Sequence, residues 1–137
     1  MNLTGTTGAL LDAYNRHDVE TVASLYTADG THEDMAPNKS KVGAAAIAAG
    51  LSTFFGWFPD AHWTPRKLID GRTASALTYL LEATLTTDMF GVKAHGQKIH
   101  LQGALILHFS GKLIRRSEDY WDAATFKRQV DAIREDI

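Results

Sequence analysis

Apolar residues recur every three or four positions from the start of the chain to Phe58, and mostly every second position after it. Leu10, Leu11 and Tyr14 share one side of a predicted helix over residues 3–16. Asp18 is placed to cap a second helix that carries Val19, Val22, Leu25 and Tyr26 on one face and ends at Asp29 and Gly30. Residues 31–35 form a short strand candidate, followed by a loop through Pro37 and Asn38. The Gly/Ala-rich stretch 43–50 opens a third helix, because apolar residues continue through Leu51, Phe54 and Phe55. Phe58, Pro59 and Asp60 read as a turn.

Beyond that turn the two-residue period predicts strands over 62–70, 72–87, 98–109 and 112–121, with Ser110 and Gly111 as a tight turn between the last two. Residues 125–133 form a closing helix, with Asp122 as its cap. Short connections make the sheet mostly antiparallel. The sum is a single α+β domain over residues 1–137, with three N-terminal helices on one face of a curved sheet and a short C-terminal helix.

The strand at 98–109 orients the fold. Its odd positions, Ile99, Leu101, Gly103, Leu105, Leu107 and Phe109, are apolar or glycine and should face the helices. Its even positions, His100, Gln102, Ala104, Ile106 and His108, are mixed. The last strand is ambiguous. Leu113, Arg115, Ser117, Asp119 and Trp121 alternate with Ile114, Arg116, Glu118, Tyr120 and Asp122, and neither set is fully apolar. Either polar groups go inside or the strand bulges.

Composition narrows the function. The net charge of −2 leaves no basic footprint for nucleic acid and no lysine-rich patch for a membrane surface. Cysteine is absent, so disulfides, thiolate metal sites and thiol nucleophiles are excluded. No signal-peptide pattern opens the chain, and the cytoplasm is the default location.

Three stretches carry a family resemblance: AYNRHDVETVASLYTADGTHED (13–34), the helix at 43–55, and SGKLIRRSEDYWD (110–122). In order and spacing they resemble the SnoaL-like polyketide cyclases, within the nuclear transport factor 2-like superfamily that also holds ketosteroid isomerases and limonene-epoxide hydrolases. The resemblance implies a cone-shaped fold with an apolar pocket at its open end. It also implies that Asp119 matches the acid/base aspartate of the aldol cyclases and the catalytic aspartate of the epoxide hydrolases, and that Asp34 matches the general base of the isomerases. His32 lies on the same side of its strand as Asp34.

The match is incomplete. The isomerases' oxyanion pair falls on Leu10 and about Leu105, and the hydrolases' additional polar pair falls near Ala83 and Leu85, all apolar. The cyclases' pocket histidine falls near Ala104, leaving His32 to replace it from another wall.

The expected chemistry is proton transfer beside a carbonyl, without cofactor or metal. Desolvation and a second nearby carboxylate would raise one of Asp34 and Asp119 into a useful range for a base, with His32 as a further donor or acceptor. Tyr14, Phe54, Trp57, Trp63 and Trp121 would supply flat apolar surface for a small hydrophobic cyclic substrate, with Ser117 and Leu105 on the same inward faces. Residues 37–42 and 88–97 would shape the pocket.

Plainer readings stand beside these. Asp119 could pair with Arg115 or Arg116 on a solvated edge, Asp34 could cap the loop before Pro37, His32 could be a core or surface histidine, and the aromatics could be core. A two-histidine, one-carboxylate metal site is not expected, since His100 and His108 fall on the other face. The fold could also serve as a ligand-binding or dimerisation module, or as an epoxide hydrolase. A homodimer is expected through the outer sheet face, using His100, Gln102, Ile106, Ile114 and Tyr120.

Overall fold

The computed structural model describes residues 3–132. Its helices are α1 (Gly5–Asn15), α2 (Val19–Ser24), α3 (Ala44–Trp57) and α4 (Ala123–Val130). Its strands are β1 (Tyr26–Asp34), β2 (Lys39–Val42), β3 (His62–Asp70), β4 (Ala74–Thr84), β5 (Lys98–Ser110) and β6 (Leu113–Trp121). The strands form one sheet in the order β2-β1-β6-β5-β4-β3. Among the described strands only β1 and β6 pair in parallel.

Local chemistry explains the helix ends. Asp18 accepts a hydrogen bond from the Thr21 backbone N–H at 3.1 Å, the N-cap its position predicted, worth about 1 kcal/mol. Asp122 does the same for α4, accepting from the Ala124 N–H at 3.1 Å. The expected end of that helix at Ile133 lies outside the described residues. α3 begins after Gly43, whose φ of +94° favours glycine.

Three local expectations change. The second helix stops at Ser24, and Tyr26, Asp29 and Gly30 belong to β1. Tyr26 pairs with Ile114 of β6, and Gly30 passes so close to the Ile114 carbonyl that an added Cβ would sit 3.1 Å from it. Tertiary pairing therefore outweighs the helical spacing of Leu25 and Tyr26. Residues 39–42, expected as loop, form edge strand β2, exposed throughout. Its lysines suit an exposed edge paired to β1 on one side only.

The third change settles the ambiguity of β6. Its ladder with β5 shifts register so that His108 faces Arg116 while Phe109 faces Ile114, which leaves Arg115 as the extra residue of a bulge. Ile114 and Ser117 are consequently both 0% exposed, although three positions apart. From Ser117 onward the odd positions point inward. Ile114 is thus core and drops out of the expected outer dimer face. The inward set of β5 (Ile99, Leu101, Leu105, Leu107) packs with Leu77, Leu81, Leu10 and Val22 as the sequence pattern predicts.

Candidate active site

The parallel pairing of β1 and β6 builds the site. Its register sets His32 beside Ser117 and Asp34 beside Asp119, so all four side chains share the inner face of the sheet. His32 Nδ1 lies 2.6 Å from Ser117 Oγ, and Ser117 Oγ lies 2.6 Å from Tyr26 Oη. His32 Nε2 lies 3.6 Å from Asp34 Oδ1, which also accepts a long bond of 3.4 Å from Trp121 Nε1.

Asp119 takes its partner from further away. Tyr79 on β4 donates its hydroxyl to Asp119 Oδ1 at 2.6 Å, across the whole width of β5. Gly103 makes this reach feasible. It faces Tyr79 on one side and Trp121 on the other, and a Cβ there would lie 2.3 Å from the Tyr79 hydroxyl oxygen. No side chain fits beneath a tyrosine lying across the strand.

His32, Asp34, Tyr79 and Asp119 line a cavity of about 500 Å³ between the sheet, α3 and α4. Its walls are mainly apolar and include Tyr14, Phe54, Trp57, Trp63, Trp121 and Phe126. The rings brace one another: Tyr14 and Trp63 are 4.9 Å apart, and Trp121 and Phe126 5.4 Å. Of the residues expected at the pocket, His32, Asp34, Asp119 and all five aromatics are in its lining. Ser117 and Leu105 are not. Ser117 is fully buried behind His32, and Leu105, 3% exposed, belongs to the packed core beside Asp119 on the neighbouring strand. Arg116 faces outward and pairs with Glu33 and Glu118, so it is not a partner of Asp119.

Sequence reading passed over two tyrosines. Tyr79 lies on the apolar inner face of β4, between Leu77 and Leu81, where a hydroxyl must find a buried partner. That spacing was the available signal. Tyr26 was hidden by its assignment to a helix.

The environment separates the titrating groups. Burial in the cavity pushes the Asp119 carboxyl up from 3.8 to about 6, against the downward pull of His32 and the Tyr79 hydrogen bond. For Asp34 burial acts upward too, but hydrogen bonding and charge from His32, with Trp121 and Lys41, hold it below the ordinary carboxylate value. Burial opposes the charge on His32, yet Asp34 and the other nearby carboxylates raise it overall. The Tyr14 and Tyr26 phenols are pushed up by burial, Tyr26 to about 12, and remain neutral donors. The site thus sets a histidine–carboxylate pair, each shifted toward its charged form, beside a carboxyl raised to about 6. Donor atoms of His32, Asp34 and Asp119 lie within 4.8 Å of one another, a spacing that could also hold a cation.

The sequence model of the SnoaL-like polyketide cyclases matches residues 6–130. The chain belongs to that family. No curated protein matches it. Among solved structures, a polyketide cyclase of unverified activity from Xanthomonas campestris is 22% identical, with a TM-score of 0.80 over 92% of this chain and 94% of that one. A SnoaL-like cyclase, also of unverified activity, from Jannaschia sp. CCS1 is 14% identical, with a TM-score of 0.85 over 94% of this chain and 91% of that one. TerC, co-crystallised with polyporic acid, is 16% identical, with a TM-score of 0.78 over 93% and 96%. At these identities the structures establish the fold: the nuclear transport factor 2-like, ketosteroid isomerase-like cone.

Proposed function

We propose that this SnoaL-like protein is a small acid–base enzyme that closes or isomerises a hydrophobic cyclic carbonyl compound. One observation carries the reading: Asp119, raised to about 6, faces an apolar cavity and is fixed by Tyr79 through one oxygen. A base works best when its pKa lies near the working pH.

In the proposed reaction Asp119 removes a proton from the carbon next to a substrate carbonyl. Protonated His32, or a neutral tyrosine hydroxyl, donates to the enolate oxygen that forms. The enolate carbon attacks a second carbonyl of the same molecule, making a carbon–carbon bond. The resulting alkoxide recovers a proton from Asp119, so the step consumes no co-reactant. The aromatic walls hold the flat substrate in the folded shape this closure needs. The occupant of the TerC structure, polyporic acid, supports a small molecule as the cavity's ligand here. We also retain self-association through the outer face, centred on His100, Gln102, Ile106 and Tyr120; a ~15 kDa monomer on gel filtration at micromolar concentration contradicts it.

The test needs no natural substrate. Aromatic 1,3-diketones and their esters are incubated in D2O, and exchange at the acidic carbon is followed by NMR. Wild type should accelerate exchange on at least one of them, and Asp119→Asn should abolish the acceleration while keeping its fold. Equal exchange by both proteins, or no acceleration across the panel, contradicts the proposal.

A further inference from the structure

The mouth of the cavity has a chemistry its interior lacks. In the β1–β2 ladder Lys41 faces His32 and Lys39 faces Asp34, so both lysines share the inner face with the acid–base groups. Both belong to the cavity lining. The Lys41 stem lies against α3, where a Cβ on Gly50 would sit 2.9 Å from its Cε. Ser40, between the two lysines, points the other way and donates to Glu33 at 3.1 Å.

The nearby acids are already engaged. Glu33 is bound by Arg116 and Ser40 on the outer face, Asp34 by His32, and Asp88 by Lys93. Among the described residues, no carboxylate lies within 4.0 Å of the Lys39 or Lys41 ammonium.

An aromatic lip lies beneath the first of these cations, Lys39. Phe90 and Gly91 form the tip of a two-residue turn closed by reciprocal bonds between Met89 and Val92 of 3.0 and 2.8 Å. Phe90 has a φ of +46°, in the left-handed region where such turns favour asparagine or glycine. It is 82% exposed, stacks edge-on against Trp57 at 5.1 Å, and lies 5.7 Å below the Lys39 ammonium. Neither burial nor backbone preference accounts for a phenylalanine there.

We infer that the ligand carries an anionic group, such as a carboxylate, phenolate or sulfonate, held at the mouth by Lys39 and Lys41, while its ring system passes Phe90 and Trp57 into the cavity. This rests on the cavity being the ligand site and adds the charge class of the ligand. The lysines act as a specificity filter. They bind the anion in substrate and transition state alike, and so set affinity more than turnover.

Two dyes with the same ring system separate the possibilities: anionic 1-anilinonaphthalene-8-sulfonate and neutral N-phenyl-1-naphthylamine. All three tryptophans line the cavity, so energy transfer from tryptophan reports a dye bound at or near it, and the response to the lysine substitutions reports whether that dye sits at the mouth. The wild type should bind the sulfonate more tightly than the amine. The double substitution Lys39→Gln, Lys41→Gln should weaken sulfonate binding about tenfold and leave the amine unchanged. Raising salt from about 0.02 M to about 0.5 M should weaken sulfonate binding to the wild type and not to the double variant. Equal response of both dyes to the substitutions, or none in either, overturns the anionic filter alone. Failure of both dyes to receive energy from the tryptophans overturns the cavity reading with it.

Discussion

Glu118 and Asp119 are neighbours on one strand and their carboxyls titrate in opposite directions. Glu118 faces outward, accepts from His108 Nε2 at 2.7 Å and Arg116 Nη2 at 3.1 Å, and is held below its ordinary value by those partners. Asp119 faces inward, loses its water to an apolar cavity, and rises to about 6. One peptide unit of β6 divides the two. The contrast shows that the sheet supplies both an ion-paired outer surface and a desolvated inner one, and that the β6 bulge at Arg115 decides which residues meet which.

The comparison breaks most visibly in activity. Asp119→Asn should cost at least about a thousandfold in catalysed proton exchange, whereas Glu118→Gln should cost less than about threefold; rates from D2O exchange measure both. The stability effects run the other way. A rise from 3.8 to about 6, at 1.36 kcal/mol per unit, means that ionised Asp119 costs the fold up to about 3 kcal/mol. The shift of an acid is upward, so this cost is absent below pH 3.8, grows between 3.8 and about 6, and is complete above. Asp119→Asn should therefore raise the melting temperature at pH 7.5 and leave it nearly unchanged at pH 4.

Removing the Tyr79 hydroxyl sharpens the contrast. Tyr79→Phe deletes a bond that favours the Asp119 carboxylate, so the lower limb of the pH–rate profile should move to higher pH. Gly103→Ala should do the same by displacing Tyr79, with about 1–3 kcal/mol of lost stability from overpacking. The smallest effect belongs to the outer face. Glu118→Gln should cost less than about 1 kcal/mol, and the difference from wild type should shrink as salt is added or as pH falls below the Glu118 titration.

How much of this was legible depends on whether a side chain's partner is near in sequence. The α+β order, the inward set of β5 and the caps Asp18 and Asp122 followed from periodicity and local chemistry, while the aromatic lining followed from the pocket that the family resemblance implied. Asp119, Asp34 and His32 were reached through family resemblance, since alternation left β6 undecided. The bulge at Arg115, the strand role of Tyr26 and the β2 edge were hidden because long-range pairing creates them. Tyr79 was missed because its partner is 40 residues away and its path crosses a glycine whose packing role no local pattern announces. Ser117 sits one layer deeper than expected, orienting His32 from behind.

The titration of a single carboxyl tests the account most directly. With 13C-labelled aspartate and Asp119→Asn to assign the signal, the NMR midpoint of the Asp119 carboxyl in the intact protein should fall near 6. A midpoint at or below 3.8 would place that group in a water-like setting and contradict the desolvated base on which the proposed chemistry depends.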